Sequence, residues 1–306
     1  MRLNPLGVDF AGLRLNSPTM LASGILGYTA ETMQTIEKNG AGAVISKSIG
    51  VKPRKGYANP TVVQVNCGLI NALGLPNSGI GEFVSEIRHA KQVLTVPFVV
   101  SMYGFSAEQY AYVAERAAGA GADAVELNVS CPHVKETGSE IGQNPQILTC
   151  VVRKVKAVVK VPVFVKLSPN VTDIVEIGEA AAKAGADALT ATNTVRAIAI
   201  DVETTMPILS NRGGGLSGSA VKPIALRCVY DLYERVKVPI IGCGGVTDWQ
   251  DAIEYLLAGA TAVQVGTAIA TEGPAVFKAI SHGISSYLKR KGHKRVEDIV
   301  GLSHRS

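Results

Sequence analysis

The sequence predicts an α/β fold, a closed (β/α)8 TIM barrel, and three observations predict it. First, Ala-Gly-Ala recurs at 41–43, 120–122, 184–186 and 258–260. Each copy stands between a helical pattern and a short apolar run: AVISKS, DAVELN, DALTAT and TAVQVG. Second, Val-Pro followed by apolar residues alternates with it, in VPFVVS (96–101), VPVFVK (161–166) and VPIIGC (238–243). Third, the 306-residue chain is 47% apolar with 32 glycines and only 5% aromatics, which suits many tight strand–helix turns around a large core.

Each unit reads as Pro-strand, helix, Gly-strand, helix. Proline is tolerated at the first residue of a strand. Glycine in Ala-Gly-Ala ends a helix in the left-handed conformation and sends the chain into the next strand. SPTMLAS (17–23) stands in the Pro-strand position of the first unit. The eight strands fall at about 18–22, 43–46, 97–101, 124–128, 163–167, 188–192, 239–243 and 262–265. They are short, apolar and rich in β-branched residues, as strands covered on both faces should be. An open doubly wound sheet is the other arrangement to weigh. No GxGxxG follows the first strand, and a fourfold repeat does not divide into two unequal halves. Three stretches leave the repeat. Residues 7–16 read as a hairpin closing the barrel floor. Segments 49–81 and 195–219 follow strands 2 and 6, so both are rim insertions at the C-terminal face, where barrel enzymes carry their sites. No linker interrupts 1–306, so one domain is expected.

A formal net charge of +5 is only mildly basic. Its one basic cluster, Lys289 to Arg295, lacks interleaved aromatics and reads as a solvated helix end, so no nucleic-acid partner is expected. The first residues carry prolines and charges where a signal peptide needs an apolar core, and no run approaches the ~18 apolar residues of a membrane span. Five cysteines without CxxC spacing point to free thiols and a cytoplasmic protein. None forms a metal spacing with His89, His133, His282, His293 or His304, so no metal is expected. Cys150 and Cys228 fall on helical patterns and read as buried packing residues.

The strand ends place a polar ring on this apolar barrel: Ser23, Lys47 and Ser48, Ser101, Asn128 with Cys131, Lys166, Thr192 to Thr194, Cys243 to Gly245, then Gly266 and Thr267. Backbone N–H groups of Gly244, Gly245, Gly266 and Thr267 suit a phosphate, and GLSGSA adds donors at Gly218. Lys166, inside VFVKLS, needs a partner. It is a Schiff-base nucleophile as in barrel aldolases, a cation stabilising an anion such as a reduced flavin, or half of an ion pair. Asn71, Asn128 and Asn193 suit a planar ligand with amide edges. Asn77 reads as a turn residue. Cys131 sits in the rim loop NVSCPHVK, where a thiol with a lowered pKa serves as base or nucleophile; a lone cysteine is otherwise inert.

NVSCPHVK, KSIGVKPRKGYANP, NALGLPN, VKLSPN, TATNT, GGLSGSAVKPIALR, IIGCGGV and VGTA together resemble the class 1 dihydroorotate dehydrogenases, from Gly7 to about Ala279 and in family order. The likeness is greatest to the class 1B, NAD-linked catalytic subunit. The resemblance implies an FMN-dependent oxidoreductase turning (S)-dihydroorotate into orotate in pyrimidine biosynthesis. Cys131 would be the base, with hydride passing to flavin N5. Substrate would be held by Lys47, the loop Asn71, Ala72, Leu73, Gly74 and Leu75, then Asn128, Asn193 and Thr194. FMN would lie on Ser23, Lys47, Ser48, Asn128, Lys166, Thr192, Gly218, Gly244, Gly245, Gly266 and Thr267. A homodimer core is implied, joined into a heterotetramer by a separate subunit that carries FAD and a 2Fe–2S cluster and passes electrons to NAD. The fumarate-reducing class 1A form is the alternative. Class 2 is disfavoured, because it uses serine as base and carries a membrane-binding extension. Two positions depart from many relatives: His133 and Ser101 stand where asparagine is common.

Overall fold

A computed structural model describes residues 4–130 and 141–305. The eight barrel strands are Thr19–Leu21, Val44–Ile45, Phe98–Met102, Ala124–Asn128, Val163–Leu167, Ala188–Ala191, Ile240–Cys243 and Ala260–Val265. Neighbours pair in parallel around the ring from strand 2 to strand 8 and on to strand 1. The ring closes between strands 1 and 2 through the parallel bridge Met20–Ala43, with Gly42 N donating to Thr19 O at 2.7 Å and Leu21 N to Ala43 O at 3.0 Å. The expected fold is the observed one.

Helices start where the sequence offers caps. Ser106, Asn144 (with Pro145 next), Asp173 and Asp248 each accept a backbone N–H of the helix that follows. Three of the four Ala-Gly-Ala glycines end helices as expected: Gly121, Gly185 and Gly259 have φ of +109°, +104° and +111°. The first copy differs. There Gly40 takes the left-handed conformation, at φ +96°, and Gly42 serves a close approach instead. A Cβ on Gly42 would lie 2.0 Å from Ser17 O. Cys150 also differs from expectation. The buried stripe of helix Pro145–Val158 is Leu148, Val151, Val152 and Val155, and Cys150 falls off it, exposed. Cys228 is half-buried, and burial pushes its thiol up to about 11.

The barrel interior is built in layers, because alternate residues of each strand point inward. Met20, Ile45, Val99, Ala124, Phe164, Ala188, Ile241 and Ala262 form an apolar lower core. The hairpin Val8–Phe10 with Leu13–Leu15 plugs that end, as the sequence suggested. Phe10 and Leu15 enter the same core, and the Phe10 ring meets Phe164 edge-on at 5.3 Å. Two residues further along their strands, the inward positions turn polar: Lys47, Ser101, Glu126, Lys166, Thr190, Cys243 and Gln264, all buried.

Above this layer the two rim insertions join each other. Val62–Val65 and Gly68–Asn71 from the first pair with Gly213–Ser217 and Val195–Ile198 from the second, giving a four-stranded antiparallel sheet. It roofs the C-terminal mouth of the barrel. No helix among the described residues is long and apolar enough to cross a membrane.

Candidate active site

Between the polar layer and the roof lies a cavity of about 680 Å³. Among the described residues, every site residue singled out from the sequence lines it except Ser101. Those residues are Ser23, Lys47, Ser48, Asn71 to Leu75, Asn128, Lys166, Thr192 to Thr194, Gly218, Gly244, Gly245, Gly266 and Thr267. Cys131 and His133 lie outside the described residues.

One wall is a hydrogen-bonded row. Ser48 Oγ shares hydrogen bonds with Ser23 Oγ (3.3 Å) and Ser101 Oγ (2.9 Å), and accepts from Asn128 Nδ2 (3.1 Å). Asn193 Nδ2 donates to Asn128 Oδ1 at 3.1 Å, and Asn193 Oδ1 accepts from Thr194 N at 2.8 Å. These bonds fix which way both amides face. Ser101 is fully buried behind Ser48. Asn71 ties the roof together, its Nδ2 donating to Gly215 O at 3.3 Å. Asn77 is the turn residue expected. Its Oδ1 accepts from Gly50 N and Gly79 N, and its Nδ2 donates to Leu75 O and Tyr103 OH, pinning the end of the Asn71–Leu75 loop.

Two lysines face the cavity in different surroundings. Lys47 is 4% exposed. Its ammonium lies 3.4 Å from Gly24 O and 5.5 Å from the Tyr28 ring centre, with no carboxylate partner among the described residues. Burial lowers its pKa to about 8. Lys166 is equally buried, but its Nζ donates to Gln264 Oε1 at 2.8 Å, and Gln264 Nε2 donates to Glu126 Oε2 at 2.7 Å. Burial works to lower Lys166, yet the charges of Cys243 and Glu126 hold it above the ordinary lysine value. Burial pushes the Cys243 thiol up, and the Glu126 carboxylate reaches Lys166 through Gln264. The Cys243 sulfur lies within hydrogen-bonding reach of Lys166.

At the far end, turns follow strands 6, 7 and 8. The amides of Gly244, Gly245, Gly266 and Thr267 donate to no acceptor among the described residues. Glycine is needed there for packing. A Cβ on Gly245 (φ +67°) would lie 2.8 Å from Lys222 Cβ and 2.9 Å from Gly218 O. Tyr255 OH braces the turn by donating to Gly244 O at 2.6 Å. Thr267 Oγ1 bonds Ser217 Oγ at 2.9 Å and joins this end to the roof. The donor set is therefore a buried cation at the floor, a fixed row of amides along one side and unused N–H groups at the end. It fits a flat ring with hydrogen-bonding edges and an anionic tail.

Sequence reasoning missed Glu126, Gln264 and Asn170. Asn170 donates to Thr194 O at 3.0 Å and accepts from Arg196 N at 2.9 Å, locking the second insertion. Glu126 and Gln264 carried the same signal as Lys166, a polar residue inside an apolar strand. Among the described residues, no three His, Cys, Asp or Glu side chains converge on a metal position.

Residues 5–288 match the family model for dihydroorotate dehydrogenase. The chain belongs to the dihydroorotate dehydrogenase family. It is 52% identical over 298 residues to the Pyrococcus abyssi protein named dihydroorotate dehydrogenase B (NAD(+)), catalytic subunit, covering 97% of this chain and 99% of that one. It is 50% identical to the protein of the same name from Pyrococcus furiosus, over 97% and 98% of the two chains. The like-named protein of Methanocella arvoryzae is 51% identical over 96% of each. In fold, the chain matches the dihydroorotate dehydrogenase of Eimeria tenella, crystallised with ferulenol. The TM-score is 0.85 at 24% identity, covering 100% of this chain and 90% of that one. The cavity just described is therefore the candidate active site of a family member.

Proposed function

We propose that the protein is a dihydroorotate dehydrogenase that oxidises (S)-dihydroorotate to orotate with FMN in pyrimidine biosynthesis. The observation that carries this is Lys47, a buried ammonium without a counter-charge among the described residues, lining the same cavity as the Asn128–Asn193 pair. A substrate carboxylate would supply the missing anion, and the two oriented amides would read the edge of a planar ring. FMN fits the remaining donors: Lys166 would offer its charge to the ring, and the amides of Gly244, Gly245, Gly266 and Thr267, which have no protein acceptor among the described residues, would hold its phosphate. When bound, FMN supplies the acceptor for the hydride leaving C6 of the substrate. Lys166 would supply a positive charge to the ring, and Asn71 to Leu75 would close the substrate side. Cys131 is the base proposed for the C5 proton, a role resting on the family resemblance. A Schiff-base lysine must be neutral to attack, so the protonated Lys166 counts against aldolase chemistry.

The names of the relatives support the class 1B form, in which a separate subunit with FAD and a 2Fe–2S cluster carries electrons to NAD. Ile198, Ile200, Val202 and Met206 form an exposed apolar hairpin on the second insertion, which suits a homodimer contact. A cytoplasmic location fits this reading.

The test is anaerobic. Dihydroorotate should bleach the FMN-loaded chain, and NAD should restore colour only with the partner subunit present. Reoxidation by fumarate instead would select the class 1A form. A chain that cannot be loaded with FMN would refute the proposal. Cys131→Ser should keep the colour and slow bleaching by about 10² or more; unchanged rates would remove Cys131 as the base.

A further inference from the structure

A polar chain runs down from the cavity floor, and the proposed reaction uses only its top member, Lys166. Lys166, Gln264, Glu126 and Thr190 come from strands 5, 8, 4 and 6, and all are buried. Lys166 Nζ donates to Gln264 Oε1 at 2.8 Å, Gln264 Nε2 donates to Glu126 Oε2 at 2.7 Å, and Thr190 Oγ1 donates to the same oxygen at 3.0 Å. The order of these bonds follows from chemistry. An ammonium only donates and a carboxylate only accepts, so the amide between them has one permitted orientation.

The placement is equally specific. Lys166 and Gln264 line the cavity, whereas Glu126 does not. A carboxylate touching Lys166 directly would cancel its field where a ligand sits. One amide of separation leaves the positive end facing the cavity and the negative end beneath it. An unpaired ammonium inside the barrel would instead hold its proton less tightly, as Lys47 does. The groups facing Lys166 are Asn128 and Glu126 on one side, Thr190 and Cys243 on the other, and Gln264 across the barrel. Glu126 is the one carboxylate among these groups. Its second oxygen, Oε1, has no donor among them, so it depends on Gln264, Thr190 and the lysine charge for its compensation.

We propose that Glu126 is a positioning residue that keeps Lys166 protonated and aimed into the cavity, with Gln264 relaying its charge. The consequence for a bound flavin rests on the function proposed above; the charge state of Lys166 does not. Glu126 touches neither cofactor nor substrate. It acts by setting the charge that a reduced, anionic ring would meet at the floor.

The experiment follows Lys166 by NMR in the full chain labelled with ¹³Cε-lysine, assigned with Lys166→Met. In the wild type the ammonium signal persists above the ordinary lysine range near ~10.4. In Glu126→Gln its proton affinity falls by roughly a hundredfold. Glu126→Gln combined with Gln264→Glu, which puts a carboxylate directly on the lysine, restores it. Gln264→Leu cuts the relay and gives the same fall, and it serves if Glu126→Gln does not fold. An unchanged Lys166 titration in Glu126→Gln or Gln264→Leu overturns the proposal, as does failure of the double variant to rescue. A second readout is the midpoint potential of bound FMN, lower in Glu126→Gln and raised again in the double variant. An NMR response in a chain that takes up no FMN would refute the flavin reading and leave the counter-charge role standing.

Discussion

Replacing Lys47 by Met removes a buried cation that lacks an anion among the described residues. Burial lowers this ammonium from 10.5 to about 8. At 1.36 kcal/mol for each tenfold change in proton affinity, the cost of keeping it charged in the folded chain is ~3 kcal/mol. The substitution also loses a long contact to Gly24 O and the approach to the Tyr28 ring, together ~1 kcal/mol. Methionine keeps similar bulk, so the substrate-free chain should gain ~2 kcal/mol at pH 7. The sign sets the pH dependence. Below about 8 the lysine is charged in both folded and unfolded chains, so the full cost applies. Between about 8 and 10.5 the unfolded chain holds more protons, and wild-type stability rises with pH. Above 10.5 the cost is gone. Urea unfolding of both chains at pH 7 and pH 10 measures the difference, which should nearly vanish at the higher pH. A Lys47→Met chain less stable at pH 7, or a difference independent of pH, would refute the argument. The same variant should lose dihydroorotate-dependent bleaching, a gain of stability at the expense of function.

Three further outcomes follow from the same geometry. Orotate affinity, measured by calorimetry, should weaken toward tenfold per pH unit above about 8 in the wild type and stay flat in Lys47→Met; a flat wild-type profile would exclude Lys47 as the carboxylate partner. Gly245→Ala forces a Cβ against Lys222 and Gly218 at φ +67°, so thermal melting should report a loss of ~1–3 kcal/mol and the loaded chain should release FMN more readily. Val202 is 81% exposed at the tip of the apolar hairpin, so Val202→Asp should shift a dimer toward monomer in sedimentation without changing the fold; an unchanged mass would place the contact elsewhere.

The barrel was legible because its signals are local. Proline before a strand and glycine after a helix act on the chain's own dihedral angles, so their positions mark element ends. The roof was not legible for the opposite reason. Gly213–Ser217 reads GGGLS, a composition depleted from strands, yet it is the central partner of Gly68–Asn71 and Val195–Ile198. Its glycines answer to neighbours far away in sequence. A Cβ on Gly214 would lie 2.6 Å from Asn71 O, and one on Gly215 would lie 2.1 Å from Thr194 Oγ1. In the site, the rim rule found the cavity-lining residues, because strand ends converge by topology. It passed over Glu126 and Gln264, which lie one layer deeper and matter through what they do to Lys166.

The two lysines make that last point in full. Lys47 and Lys166 are the same residue type, both buried, both in the polar layer of one barrel. Residue identity and burial alone predict the same lowered pKa for each. They move in opposite directions because Lys166 lies beside Cys243 and has the Glu126 carboxylate two hydrogen bonds away, whereas Lys47 has no such neighbours among the described residues. The protein has therefore supplied the counter-ion where the charge must be permanent and withheld it where a ligand is to bring its own. A lysine completed from within serves as fixed electrostatics at the floor. A lysine left incomplete would gain its partner when an anion enters, and on the function proposed above that difference would give the cavity affinity for a carboxylate substrate.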